Sequence, residues 1–363
     1  MIKNKVNTLT FHGVLNHGAI MQAYALQHFL KLNGFDSELI DYKPMYFMRQ
    51  VYRPAKGIKK TILKYSRIRK FKKFTDRHLS LTKEKYYKLS DFEKKLKDCY
   101  AVVCGSDQIW NKGITNGVLD PVFLQRYSSD VKKIAYAASA GANNLRSDPG
   151  VAECLSQFSA IGIREKHLVD DLAGLPTITT PKLVLDPTLL LDADEYAAIC
   201  YSSMVPTGNF IVSYEVSTNE TRLKYESFVA HVKSLTGLPV YHIGDKPISS
   251  ADKVFLNIAP SDWVSFMHKA MAIVTNSFHG TAFAVNFNKP LFMLSHVDQA
   301  RNVRPKNFLK NISMSKCFIE SEDHLTSELL DELFLERPRK ELERHVTESR
   351  QFLLNSLKEG EGI

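Results

Sequence analysis

Nowhere in the sequence does an uncharged apolar run approach the roughly 20 residues that span a membrane. The opening residues Met1 to Val6 have a basic start but no apolar stretch behind it, so they do not read as a secretory leader. Cysteine is scarce and scattered. Cys99, Cys104, Cys154, Cys200 and Cys317 form no CxxC pair and no metal-ligand spacing. Such a set excludes a disulfide framework and suits a reducing cytoplasm, with most thiols filling core space. Internal repeats and low-complexity stretches are also missing.

What the sequence has is enough apolar material for a large interior. Of 363 residues, 44% are hydrophobic, and the length exceeds what one domain usually needs. The formal charge is +9, but it is local: nine Lys or Arg and no acid lie between Lys56 and Lys73. Without those nine, 39 basic residues face 39 acidic ones. The basicity therefore belongs to a segment, and a nucleic-acid-binding role for the whole protein is not expected.

Strand-like and helix-like stretches alternate, which predicts an α/β protein with parallel sheets. Val6–Phe11 reads as a strand, followed by a turn from Gly13 to Gly18. A helix then runs over Ala19 to Leu32 and stops at Gly34. Glu38–Asp41, Tyr100–Cys104, Lys133–Ala137, Ala160–Ile163 and Lys182–Leu185 read as further strands. Residues 44–97 are basic, helical and poor in strand signals, and read as an insertion. A second set begins with a strand at Phe210–Tyr214 and continues with strands at Pro239–Ile243, Met271–Thr275 and Pro290–Leu294, with helices between them. Two such sets predict two facing Rossmann-like domains: residues 1–195 with the insertion 44–97, and residues 208–330, followed by a C-terminal helical segment, 331–363. Ser202, Ser203, Pro206 and Gly208 mark the linker.

Five polar segments stand at expected strand ends, where open α/β sheets bind ligands. In Thr275-Asn276-Ser277-Phe278-His279-Gly280-Thr281 a helix start would point free N–H groups at an anion, with hydroxyls from Ser277 and Thr281. His279 would be the acid/base group there; the plainer alternative is a helix cap beside a surface histidine. In Gly105-Ser106-Asp107-Gln108-Ile109-Trp110-Asn111, polar side chains beside a tryptophan suit a sugar; an Asx turn with a core tryptophan fits equally. Arg164 ends the strand Ile161-Gly162-Ile163, where its fork could hold carboxylate or phosphate or simply pair with Glu165. Asn16-His17-Gly18-Ala19 enters the first helix, a second candidate anion or acceptor contact. Arg301 and Arg304 lie in a basic stretch, read as a loop, after the last of those strands.

Taken together, the segments "NHGAIMQAYALQHFLKLNG", "CGSDQIWN", "IGIRE", "VLDPTLLL", "VTNSFHGTAFAVNFNKPLF" and "RNVR" resemble the polysaccharide pyruvyl transferase family. The resemblance leaves out residues 44–97 and about the last 40. It implies a GT-B-like pair of domains, phosphoenolpyruvate as donor, a hexose diol as acceptor, and a pyruvate ketal as product. It maps the family's histidine and arginine roles onto His279 and Arg164, with Arg301 or Arg304 as the late arginine and spacing favouring Arg304. The polar segments themselves add Asn276, Ser277, Gly280 and Thr281 to the donor side, and Asn16, Gly18, Ser106, Gln108, Trp110 and Asn111 to the acceptor side, with Asp107 a second catalytic candidate that could help to deprotonate a hydroxyl. Neither a cofactor nor a metal is required, since phosphoenolpyruvate is a co-substrate.

Two other readings compete. A GT-B glycosyltransferase would place a nucleotide sugar on the same helix ends. A non-enzymatic protein would bind a membrane or polyanion through residues 56–73, read as a basic helix with its apolar residues on one face. In the enzyme reading that helix could hold a cytoplasmic protein on the inner face of an anionic membrane, near a sugar on a lipid pyrophosphate; the plainer alternative is a solvated helix that packs its apolar face on the N-terminal domain.

Overall fold

The computed structural model describes residues 4–96, 99–175, 179–216, 219–337 and 340–358. The chain forms two compact units: residues up to Leu190 together with those from His345 onward, and Leu191–Arg344.

Unit 1 is built on a seven-stranded sheet. In chain order it runs β1 (Lys5–Leu9), α1 (His17–Leu32), β2 (Asp36–Tyr42), α2 (Met45–Tyr52), α3 (Ile58–His78), β3 (Leu81–Tyr86) and α4 (Leu89–Lys95). It continues with β4 (Ala101–Cys104), β5 (Lys132–Ala138), α5 (Val151–Leu155), β6 (Ala160–Ile163), α6 (Lys166–Leu172) and β7 (Lys182–Leu183). The spatial order is β3-β2-β1-β4-β5-β6-β7, and every pairing is parallel. Helices cover both faces of such a sheet, so β4 and β6 are apolar throughout: all of Ala101–Cys104 and Ala160–Ile163 is buried.

Unit 2 contains α7 (Ala193–Ala197), β8 (Ile211–Tyr214), α8 (Asn219–Thr236), β9 (Val240–Ile243), β10 (Lys253–Phe255) and α9 (Pro260–Lys269). There follow β11 (Ala272–Thr275), α10 (Phe278–Asn286), β12 (Leu291–Leu294), α11 (Gln299–Asn311), β13 (Phe318–Ile319) and α12 (Ser327–Leu335). Its parallel sheet has the order β10-β9-β8-β11-β12-β13. In both units the first strand of the set lies beside the fourth. Chain direction across the sheet reverses there, leaving an opening at the carboxyl ends, the usual ligand position in Rossmann-like sheets.

The terminal helix α13 (Lys340–Lys358) carries the chain back to unit 1. Ser349 Oγ accepts the Leu185 N–H at 2.9 Å, and Arg350 donates to the Leu190 carbonyl. Phe352 lies against Gly162, where an added Cβ would come within 2.7 Å of its ring. The stretch read as one terminal helical segment thus divides, with α12 in unit 2 and most of α13 on unit 1.

Residues 44–97 are not an insertion beside the sheet. They supply β3, which extends the sheet next to β2. Its Lys and Glu residues hide the strand because β3 is an edge strand with three exposed side chains. Nor does α3 place its apolar residues on one face. Phe71 lies 13 residues after Ile58, about 220° past three full turns at about 100° per residue. Phe71 and Phe74 face inward onto His17 and Tyr24 of α1, whereas Ile58 and Ile62 face solvent.

Candidate active site

The polar segments converge on the two chain reversals. In unit 1 the segment after β1 and the segment after β4 are neighbours, because those strands pair. Thr10 binds them together: its hydroxyl donates to the Ser106 carbonyl at 2.8 Å and accepts from Gln22 Nε2 of α1 at 2.9 Å. Asn16 is the exposed N-cap of α1, and its Oδ1 accepts the Ala19 N–H at 3.1 Å. Gly18 is buried in the first turn.

The turn after β4 is held from below by a buried charge network. Ser106 Oγ donates to Asp186 Oδ2 at 2.8 Å, and Arg164 Nη1 donates to the same oxygen at 2.5 Å. Asp186 Oδ1 accepts from both the N–H and the hydroxyl of Thr188. Glu165 Oε1 lies 3.4 Å from Arg164 Nε and accepts from Ser139 Oγ at 2.6 Å. Burial would lower the pKa of the Arg164 guanidinium, but Asp186, Glu165 and Asp107 together raise it.

This network corrects three expectations. Arg164 does not offer an open fork to a ligand, because it is buried and its charge is spent on Asp186 and Glu165. Ser106 is fully buried and braces the turn from beneath, so it does not reach a sugar. Trp110 is 0% exposed, its indole N–H donating to the Phe123 carbonyl at 3.0 Å, and it offers no stacking face. The core-tryptophan alternative holds.

Asp107, Gln108 and Asn111 remain as the polar surface of this turn. Asp107 has φ 68°, a left-handed conformation that Asp tolerates better than most residues, and it bridges to Ala138 at the end of β5. Its Oδ1 accepts the Gln108 N–H. Gln108 Oε1 accepts from Asn111 Nδ2, and Asn111 Oδ1 accepts from Asn143 Nδ2 at 2.8 Å. Gly141, at φ 68°, lies directly against Gln108 and Asn111, where a Cβ would collide with both.

In unit 2 the second reversal carries the segment after β11. Ser277 is the N-cap of α10 and His279 its second residue, buried at the helix mouth. Asn276 Oδ1 accepts the Val216 N–H at 2.9 Å, tying the ends of β11 and β8 across the reversal. Gly280 lies so close to Thr275 that no Cβ fits, and this seats the helix start on the strand end. Thr281 corrects a further expectation. It is fully buried, and its hydroxyl donates to the Ser277 carbonyl and lies 3.2 Å from Met293 Sδ, so it serves the helix rather than a ligand.

The basic stretch after β12 is helical, not a loop: α11 starts at Gln299 with Asp298 as its cap. Arg301 faces outward beside Asp298. Arg304 lies over the Phe278 ring at 5.6 Å, and that ring is 5.4 Å from the His279 ring. Of the two arginines, Arg304 is the one over the ring of Phe278, the residue next to His279 in sequence.

Sequence reasoning missed Asp186, Glu215 and His296. Asp186 opens the conspicuous Asp-Pro-Thr segment, but only the fold reveals its partner. Glu215 follows β8 at the reversal and is 4% exposed, an acid directly after an apolar strand. His296, after β12, accepts the Asp298 N–H on Nδ1, and its backbone is held by both side-chain atoms of Asn302. Among the described residues, no group of three His, Cys, Asp or Glu is placed to hold a metal ion.

Two Rossmann-like units with polar motifs at both reversals define an α/β protein of GT-B-like fold. The family described as polysaccharide pyruvyl transferase matches residues 16–298, and the chain belongs to that family. Among curated proteins, no sequence matches the chain. Among solved structures, the chain is similar to the UDP-N-acetylglucosamine 2-epimerase from Rickettsia bellii, with 12% identity, TM-score 0.52, and coverage of 98% of this chain and 97% of that one. A putative UDP-N-acetylglucosamine 2-epimerase from Listeria monocytogenes is similar at 10% identity and TM-score 0.53, covering 97% and 91%. The Methanocaldococcus jannaschii UDP-GlcNAc 2-epimerase in complex with UDP-GlcNAc and UDP gives 10% identity and TM-score 0.51, covering 94% and 98%. At such identities the likeness concerns the fold alone.

Proposed function

We propose that the protein transfers pyruvate from phosphoenolpyruvate to two hydroxyls of a sugar in a glycan or glycan precursor, forming a pyruvate ketal. The observation that carries this reading is His279 on the first turn of α10, with Arg304 over the adjacent Phe278 ring. The helix N-terminus and Arg304 suit the phosphate and carboxylate of the donor, with Ser277, Asn276 and Gly280 shaping the helix mouth. His279 delivers a proton to the donor's methylene carbon, which becomes the methyl group. One sugar hydroxyl adds to the central carbon, the C–O bond to phosphate breaks, and the second hydroxyl closes the ketal. Of the two hydroxyl protons, one replaces the proton given by His279 and the other leaves with phosphate. Asp107, Gln108, Asn111, Asn16 and Gly18 are the acceptor-side groups, with Asp107 the candidate to draw a proton from a hydroxyl. No cofactor enters this scheme.

The test is mass spectrometry of reactions containing phosphoenolpyruvate and a panel of sugar acceptors, with phosphate release followed in parallel. The expected product gains the mass of pyruvate less water, with one phosphate per ketal. A hexose added from a nucleotide sugar, with no turnover of phosphoenolpyruvate, would overturn the reading.

A further inference from the structure

Helix α3 has two opposite apolar stripes, and only one is covered. Phe71 and Phe74 are buried against α1. On the other side, Ile58, Ile62, Tyr65 and Arg69 follow one another at spacings of four, three and four, and all four are exposed. Ile58 is 80% exposed and Ile62 64%. Tyr52, at the end of α2, joins this surface, because Tyr65 Oη donates to the Tyr52 carbonyl at 3.0 Å. Exposed isoleucines at this level, in consecutive turns, are not ordinary surface scatter.

Cations frame the stripe. Lys59, Lys72 and Lys73 lie within about 90° of the stripe around the helix, Arg69 lies on it, and Lys56 just precedes it; all five are exposed, and no acid occurs between Lys56 and Asp76, which pairs with Lys72. Two other basic residues have inward tasks: Lys64 donates to the Gln50 and Arg53 carbonyls that end α2, and Arg67 to the Leu15 carbonyl. The fold thus uses part of the basic run as struts and leaves the rest around an apolar ridge.

We propose that this face of α3 docks on an anionic lipid bilayer, with Ile58, Ile62 and Tyr65 entering the interface and the surrounding lysines meeting lipid headgroups. The pairing of features selects the occupant. A polyanion such as RNA would use the charge but give the isoleucines no role. A second copy on the same face would bring like charges together. An anionic membrane uses both, since apolar side chains sink below the headgroups while lysine stems lie along them. The inference does not depend on which reaction the enzyme performs.

The experiment is co-sedimentation of the full chain with phosphatidylcholine vesicles and with vesicles that also contain phosphatidylglycerol, at about 0.1 M and about 1 M salt. Binding is expected only with the anionic vesicles and is expected to fade at high salt. Replacing Lys59, Lys72 and Lys73 by Gln should cut partitioning roughly 100-fold. Ile58→Ser with Ile62→Ser should cut it roughly 10-fold or more while leaving the circular dichroism unchanged. Recovery in the supernatant with every vesicle overturns the proposal. Binding that survives the isoleucine changes overturns it in favour of a polyanion site. A dimer in sedimentation velocity that those changes abolish overturns it in favour of a second copy.

Discussion

Asp186→Asn is the sharpest test of how the unit 1 site is held. The carboxylate is almost fully buried and accepts four hydrogen bonds: Arg164 and Ser106 on one oxygen, the Thr188 N–H and hydroxyl on the other. An amide of the same shape must turn its NH2 toward one of these donor pairs, so at least one pair loses its acceptor. It also removes the charge closest to Arg164, leaving Glu165 at 3.4 Å and the field of Asp107 as counter-charges. Breaking one side of a buried pair typically costs about 3–5 kcal/mol. For a unit of about 200 residues, that corresponds to a Tm lowered by roughly 6–20 °C. Differential scanning calorimetry reads this directly. The double variant Arg164→Leu with Asp186→Leu should cost less than the sum of the two single changes, because it leaves no unpaired charge. A Tm within about 2 °C of the parent in Asp186→Asn would refute the claim that Arg164 depends on Asp186, and Arg164 would return as a ligand-binding arginine.

Four further outcomes follow from named contacts. His279→Ala should lower turnover by roughly 100-fold or more with an unchanged Tm; near-normal activity in steady-state assays would remove His279 from the reaction. Arg304→Lys keeps the charge but loses the planar fork, so the apparent KM for phosphoenolpyruvate should rise roughly 10-fold while that for the acceptor stays put; a change confined to the acceptor would place Arg304 elsewhere. Trp110→Ala should cost about 3–5 kcal/mol in stability, read by urea unfolding, and should not act selectively on the acceptor KM. The fourth concerns His242 of unit 2, whose pKa burial lowers to about 4 from an ordinary 6.5. Because protonation favours the unfolded chain, its contribution is complete above about 6.5 and is lost as pH falls toward 4, by roughly 3 kcal/mol. His242→Gln should flatten that limb of a Tm-against-pH curve, and an unaltered slope would disprove the assignment.

Much of the architecture was legible in the sequence. Continuous apolar runs such as Ala101–Cys104 and Ala160–Ile163 identify buried parallel strands, because both faces of such a strand must leave water. The segments that follow such runs fall at strand ends for the same reason, so the positions of His279 and Asp107 just beyond β11 and β4 were legible in the sequence. β3 escaped notice because an edge strand is half exposed, and its Lys-Glu-Lys run has no apolar alternation. β10 and β13, three and two residues long, are too short to carry a period.

The sequence by itself determined which residues were chemically apt and where along each strand they stood. It could not determine which way each side chain points or what it meets from distant parts of the chain. Ser106 meets Asp186 from 80 residues away, and that contact turns Arg164 from a candidate ligand fork into a brace. Trp110 was apt for a sugar and also for a core, and packing decided for the core. The two arginines of α11 are three residues apart, and only the helix shows Arg304 at Phe278 while Arg301 turns to Asp298. In α3 the same logic leaves one apolar stripe buried and the other bare. Local sequence sets periodicity and chemical type, whereas contacts between remote segments settle burial, pairing and charge state, and these arise only when the sheets assemble.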